Sequence, residues 1–280
     1  MNRISIITPC YNAEQFISET ALSAINQTAV LNGRCELEYI VCDGGSIDNT
    51  ISILEKIKEN ATNDKLRIVI HSGKDAGMYD ALSKGLQCAT GNICAYINAG
   101  DYYSSHAFDV ILDIKKAYRW KWITGLNVLY NSHSQIIGVK LPYIYRSRLI
   151  KAGFYGEKLP FIQQESTFWD TDLNKYIDYN YLTNFKLAGD YYLWSVFSQY
   201  EELKIVESYL GGFKINNGQL SENIQGYFEE MSKILNKPSM CDYIMANIDR
   251  VCWLLPDRIK KVLNRNSLFR YNCVKEKWEL

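Results

Sequence analysis

The chain has 280 residues, 47% hydrophobic and 22% charged, enough for one large domain with a full core or one domain plus an appendage. Its 31 basic and 31 acidic residues cancel, which excludes a whole-molecule field of the kind that gathers nucleic acid. The balance is uneven, because from Lys233 onward ten basic residues face five acidic ones.

Ile4 to Thr8 is a short apolar run suited to a strand buried on both faces. Phe16, Ile17, Thr20, Ala21, Ala24 and Ile25 then recur at helical spacing. Leu37 to Cys42 reads as a second strand ending at Asp43-Gly44-Gly45-Ser46, and Asp48 or Asn49 is placed to cap a helix carrying Ile51, Leu54 and Ile57. Leu66 to Ile70 is a third strand. Met78, Ala81, Leu82, Gly85, Leu86 and Ala89 form the stripe of a third helix, and Asn92 to Ile97 is a fourth strand stopped at Asn98-Ala99-Gly100-Asp101. This alternation predicts an α/β fold with a mostly parallel, Rossmann-like central sheet flanked by helices. Ligands of such sheets bind beyond the carboxyl ends of the strands, where the polar and glycine residues gather here.

From about residue 120 the texture changes to short strand-like pieces, 122–130 and 136–139, among aromatics. A helix is expected from near Gly189, and the part after Ser221 reads mainly as helix punctuated by Pro238 and Pro256. Eight cysteines without a C-x-x-C pair read as small buried hydrophobes of a reduced compartment, and the three histidines form no metal or triad pattern. Met1 leads directly into a strand pattern without a signal-peptide core. No apolar run nears the roughly 18–20 residues that span a bilayer. The expected location is the cytoplasm, either free or peripheral on the inner face of the cell membrane.

Asp43 to Thr50 is the most informative stretch: an acid at a strand end followed by two glycines lets a nucleotide approach the backbone while the carboxylate accepts from a base N–H. A tight strand-to-helix turn explains the same residues one at a time. Taken with Thr8-Pro9-Cys10-Tyr11-Asn12 before it and Asn98-Ala99-Gly100-Asp101 after it, the octet resembles the family 2 glycosyltransferases of GT-A fold. The stretch from Lys74 to Gly85 resembles that family's glycine- and Asn/Lys-containing helix start. The likeness is strong over residues 1–105 and weaker to about 200.

The resemblance implies a nucleotide-sugar donor, UDP-linked by first expectation, and a glycan or lipid-linked acceptor in bacterial surface polysaccharide or glycolipid assembly. Residues 1–105 would form the donor-binding half of the GT-A domain, 106–220 its acceptor-binding half and 221–280 a helical extension. Thr8, Pro9 and Tyr11 would line the nucleoside pocket with Asp43 and Gly45, and Lys74, Asp75, Asn98 and Gly100 would complete the donor site. Asp101 matches the acid expected to hold Mn²⁺ or Mg²⁺, although the family's pattern usually carries two acids and here Ala99 and Gly100 leave one; its alternative reading is a helix cap. Asp190, in Ala188-Gly189-Asp190, matches the general base at a helix start, with Glu165 as second candidate and Gln164 and Glu165 as acceptor contacts. A single displacement with inversion follows. A nucleotide-sugar-binding partner without catalysis is the alternative, whereas a dinucleotide oxidoreductase is excluded by the lack of G-x-G-x-x-G after the first strand. The basic C-terminal part reads as amphipathic helices that lie against anionic lipid, pack on the core or pair in a homodimer.

Overall fold

The computed structural model describes residues 1–216 and 218–280. β1 (Asn2–Cys10), β2 (Cys35–Asp43) and β3 (Leu66–Ser72) are parallel neighbours, and β4 (Ile93–Tyr96) lies parallel along the other edge of β1. Between them run α1 (Ile17–Ile25), the short α2 (Thr28–Leu31), α3 (Thr50–Asn60) and α4 (Met78–Cys88). Every residue from Ile4 to Cys10 is buried, Ser5 and Thr8 included, as in a strand covered on both faces. The chain steps outward from β1 to β3 and then returns to the opposite side of β1. This reversal opens a crevice at the carboxyl ends of β1 and β4.

The second half begins with β5 (Tyr102–Tyr103), α5 (Ala107–Ala117), β6 (Trp122–Thr124), β7 (Asn127–Tyr130), β8 (Ile136–Lys140) and α6 (Ser147–Lys151). A 3₁₀ turn at Gln164–Ser166 leads into β9 (Thr167–Asp170), followed by α7 (Tyr179–Leu182), α8 (Gly189–Phe197), β10 (Lys204–Val206) and β11 (Gly211–Lys214). The main sheet has nine strands in the order β3, β2, β1, β4, β9, β6, β10 and then two more from the C-terminal part, and a smaller sheet has the order β5, β11, β7, β8. β9 runs antiparallel to both β4 and β6. Its Phe168 and Trp169 are both buried, so no alternation betrays the strand in the sequence.

The C-terminal part is helical as expected, through α9 (Ile224–Ser232), α10 (Met240–Trp253) and α11 (Asp257–Leu263). It then returns to the main sheet as β12 (Leu268–Asn272), parallel to β10, and β13 (Lys277–Glu279). This hairpin corrects the expectation that the part after Ser221 is mainly helix. The cysteine expectation holds for Cys10, Cys35, Cys42 and Cys94; Cys88, Cys241 and Cys273 are instead exposed. No helix among the described residues is long and apolar enough to cross a membrane.

Candidate active site

At the end of β1 the chain turns outward: Tyr11 is 62% exposed, and Asn12 adopts φ 47°, which asparagine tolerates better than most residues. This turn is laced to the Asp43 octet. Asn12 N–H donates to Ser46 Oγ at 2.7 Å and Ile47 N–H to Asn12 Oδ1 at 3.0 Å. Ala13 N–H donates to Thr50 Oγ1 at 2.8 Å and Glu14 N–H to Asp48 Oδ2 at 3.1 Å. Asp48 also serves the start of α3 by accepting from Thr50 N–H, whereas the Asn49 side chain makes no cap bond.

The buried Asp43 carboxylate shapes its own turn. Its Oδ2 accepts from Gly45 N–H and Ser46 N–H, both at 3.0 Å, and from the Ser72 hydroxyl at 2.7 Å, while Oδ1 takes the Ser46 hydroxyl. Gly45 holds φ +85°, a conformation that L side chains rarely adopt. A base imide N–H could replace either rotatable hydroxyl without disturbing the backbone bonds. The loop after β3 closes on this turn, since a Cβ on Gly44 would sit 2.9 Å from Asp75 Oδ2 and one on Gly45 would sit 3.5 Å from Lys74 N. Lys74 is exposed, and Asp75 Oδ1 accepts from Gly77 N–H at 2.9 Å. Tyr11, the Asp43 turn, Lys74 and Asp75 therefore share one rim. Thr8 and Pro9 do not line it: both are buried, with the Thr8 hydroxyl beside Tyr39, because β1 is covered on both faces up to its last residue.

At the end of β4, Thr20 ties down the Asn98–Asp101 turn by accepting from Gly100 N–H at 2.9 Å and donating to Asp101 O at 3.0 Å. Gly100 sits at φ +112°. An acid in its place would be strained, which gives a physical reason for the glycine. Asp101 is 3% exposed and caps no helix; its Oδ1 accepts from Lys214 N–H of β11 at 2.9 Å. Gln164 is withdrawn from any acceptor: its Nε2 donates to Tyr96 O and its Oε1 accepts from Asn98 Nδ2 at 3.3 Å, so both ends of the amide fasten the 3₁₀ turn to β4.

Glu165 is 5% exposed, and its Oε2 has no hydrogen-bond partner. Burial, reinforced by the Asp190 carboxylate, pushes its pKa up to about 7. Burial and the Glu165 charge likewise hold Asp101 well above the usual carboxylate range. Asn98 Oδ1 is a second buried oxygen without a partner. Unpartnered hard oxygens beside a crowded carboxylate suit a divalent cation, so this donor set fits Mg²⁺ or Mn²⁺. Among the described residues no group of three or more His, Cys, Asp and Glu side chains could hold a metal ion.

Asp190 lies in the first turn of α8, whose N-cap is Ala188. Its half-buried carboxylate accepts from Tyr191 N–H at 2.7 Å and from the Tyr227 hydroxyl at 3.1 and 3.3 Å. The Tyr79 hydroxyl lies 3.5 Å away and makes its shorter bond, 3.0 Å, to Leu187 O. Burial outweighs these hydrogen bonds and raises the Asp190 pKa to about 6. Glu230 of α9 accepts from the N–H groups of Lys186, Leu187 and Ala188 at 2.9 to 3.1 Å, anchoring the backbone that enters α8. Glu165 is thus within electrostatic reach of both Asp101 and Asp190. The sequence reading missed Tyr79, Tyr227 and Glu230, since a tyrosine on an amphipathic helix carries the same signal whether it packs or holds a carboxylate.

The model of the glycosyl transferase family 2 matches residues 5–149. A glycosyltransferase of Haemophilus influenzae is 26% identical over 247 residues, 86% of this chain and 74% of that protein. A chondroitin synthase of Pasteurella multocida is 31% identical over 109 residues, 39% of this chain and 10% of that protein. Among solved structures, S. aureus TarS 1-349 in complex with UDP is alike in fold, with a TM-score of 0.58 at 15% identity over 94% of this chain and 71% of that one.

Proposed function

The chain belongs to glycosyl transferase family 2, and from that premise we propose that it moves a hexose-type sugar from a UDP-sugar to a glycan or lipid-linked hydroxyl with inversion. The observation that carries this reading is Asp190: a half-buried carboxylate with its pKa raised to about 6, neighbouring the Glu165 carboxylate that in turn neighbours Asp101. A base with that pKa is ionised at neutral pH yet basic enough to take a hydroxyl proton as the oxygen attacks. The TarS likeness in fold, in a complex with UDP, supports the choice of nucleotide.

In this reading residues 1–105 hold the donor, 106–220 the acceptor, and 221–280 brace the cleft through Tyr227 and Glu230. Tyr11 offers an exposed ring face to the base, and Asp43 takes the imide N–H in place of a serine hydroxyl. Lys74, beside Gly45 and Asp75, is the cation for the diphosphate, and Asn98 and Gly100 complete the donor site from the turn after β4. Asp190 deprotonates the acceptor oxygen, which forms a bond to the anomeric carbon as the bond to the nucleoside diphosphate breaks. Bound Mn²⁺ or Mg²⁺, held by Asp101 with Asn98 and Glu165 oxygens, would supply charge stabilisation at the departing diphosphate. Tyr227 keeps Asp190 aimed and ionised. Work in the cytoplasm matches the supply of nucleotide sugars there.

Calorimetric titration with UDP, GDP and dTDP in the presence of Mn²⁺ tests the donor site. UDP is expected to bind tightest, and Tyr11→Ala to weaken it by roughly ten-fold through loss of stacking. Absence of binding by all three nucleotides, or UDP affinity indifferent to Tyr11→Ala, would refute the proposed site.

A further inference from the structure

α10 is packed on the protein along one face. A capping box joins Ser239 and Asp242 at its start, Arg148 of α6 pairs with Asp242, and Arg146 pairs with the buried Asp249 at 2.8 Å. The Trp253 ring meets Tyr145 edge-on at 5.5 Å. α11 is fastened as firmly, because the buried Lys260 donates to Leu141 O at 2.7 Å and Asn264 donates to Pro142 O at 3.0 Å. These are docked helices, not a loose tail.

The opposite face of α10 should then be polar, and it is not. At 100° per residue, Met240, Ile244, Val251 and Leu254 point away from the buried Asp242, Ala246 and Asp249. Their exposures are 76%, 55%, 63% and 82%. Ile248 adds to the same stripe, and Val262 of α11 is exposed as well. Positive charge predominates on α10 and α11. Asp242 and Asp249 are turned inward to Arg148 and Arg146, and Asp257 pairs with Lys260. Lys237, Arg250, Arg258 and Arg265 are exposed and pair with no carboxylate among the described residues.

We infer that the outer face of α10 and α11 docks on an anionic lipid surface, with the apolar stripe in the headgroup boundary and the unpaired cations on the phosphates. An apolar face flanked by cations with every nearby acid engaged elsewhere is complementary to such a bilayer. A two-fold contact with a second copy would instead bring two like-charged arginine sets together around the same stripe. The inference stands independently of the donor chemistry. It does place a physical link between lipid and cleft, since α10 braces α6, and Ile150 O of α6 accepts the Tyr191 hydroxyl, at 2.6 Å, from the residue after Asp190.

Vesicle flotation of the full chain tests it, comparing phosphatidylcholine with an equal mixture of phosphatidylcholine and phosphatidylglycerol, alongside sedimentation velocity without lipid. The protein is expected to float with the anionic vesicles alone and to be released by high salt. Ile244→Ser with Val251→Ser and Leu254→Ser should weaken binding by at least roughly ten-fold, as should Arg250→Glu with Arg258→Glu. Both variants should keep the wild-type melting temperature, because the substituted side chains face solvent. No flotation at low salt, equal flotation with neutral vesicles, or a lipid-free dimer that the serine variant dissociates would each overturn the inference, the last by showing that a second copy covers the face.

Discussion

Replacing Tyr227 by phenylalanine removes one hydroxyl and leaves the ring that packs against Phe161 at 5.5 Å. That hydroxyl donates to both Asp190 oxygens, at 3.1 and 3.3 Å. A hydrogen bond to a charged group is worth about 1.5–3 kcal/mol, and one pKa unit about 1.4 kcal/mol, so the loss raises the Asp190 pKa by roughly one to two units. Starting from about 6, the carboxyl would titrate between roughly 7 and 8. The base must be ionised to work, so the acid limb of kcat/KM should move upward by the same amount. For a shift of about 1.5 units the ionised fraction at pH 6.5 falls roughly eight-fold, while near pH 9 the two proteins should almost coincide. Metal-supplemented turnover of UDP-sugar with water as acceptor, followed from pH 5.5 to 9.5, reads this directly. Tyr79→Phe should move the limb less, because its shorter bond goes to Leu187 O. A deficit independent of pH, or an unmoved acid limb, would refute the role given to Tyr227.

Gly211→Ala would place a Cβ 2.0 Å from the Glu165 carbonyl oxygen, a backbone atom, and should destabilise by about 1–3 kcal/mol or more with loss of turnover. Gly44→Ala meets only the movable end of Asp75 and should leave the melting temperature almost unchanged, which thermal denaturation of the two variants checks. Glu165 and Asp190, raised to about 7 and 6, bind protons more tightly folded than unfolded. Their stabilising contribution is full below the unfolded carboxylate pKa and is lost as pH rises through 6 to 7. The melting temperature should therefore drop between pH 5 and 8, less so in Glu165→Gln; a rise over that interval in the wild type would contradict it. Glu230→Gln should lower turnover more than it lowers UDP affinity, as it loosens the entry to α8 without touching the donor rim; calorimetry beside a turnover assay separates the two.

Much of the fold of residues 1–105 was legible because its strands and helices alternate with clear periods and end in turn residues. Asp43-Gly44-Gly45-Ser46 encodes its turn locally, since the Asp43 carboxylate accepts from Gly45 N–H, Ser46 N–H and the Ser46 hydroxyl. Thr8 and Pro9 failed because a motif fixes which residues stand near a ligand and not which face of the strand they occupy. Gln164 failed for a related reason: a polar residue in a buried turn satisfies the backbone first. β9 was illegible because a short strand buried on both faces has no period, and β12 because five residues are too few to break a stretch that reads as helix. Tyr227 and Glu230 reach Asp190 and its flanking backbone from about 40 residues away, a proximity that only the packing of α9 creates.

The most direct test of Asp190 as base is NMR of the anomeric proton in product formed by wild type and by Asp190→Asn from the UDP-sugar that binds. Inversion relative to donor, with turnover lost by at least roughly 10²-fold in the variant at unchanged UDP affinity, is the predicted result. Retention of configuration, or near-normal turnover by Asp190→Asn, would contradict it.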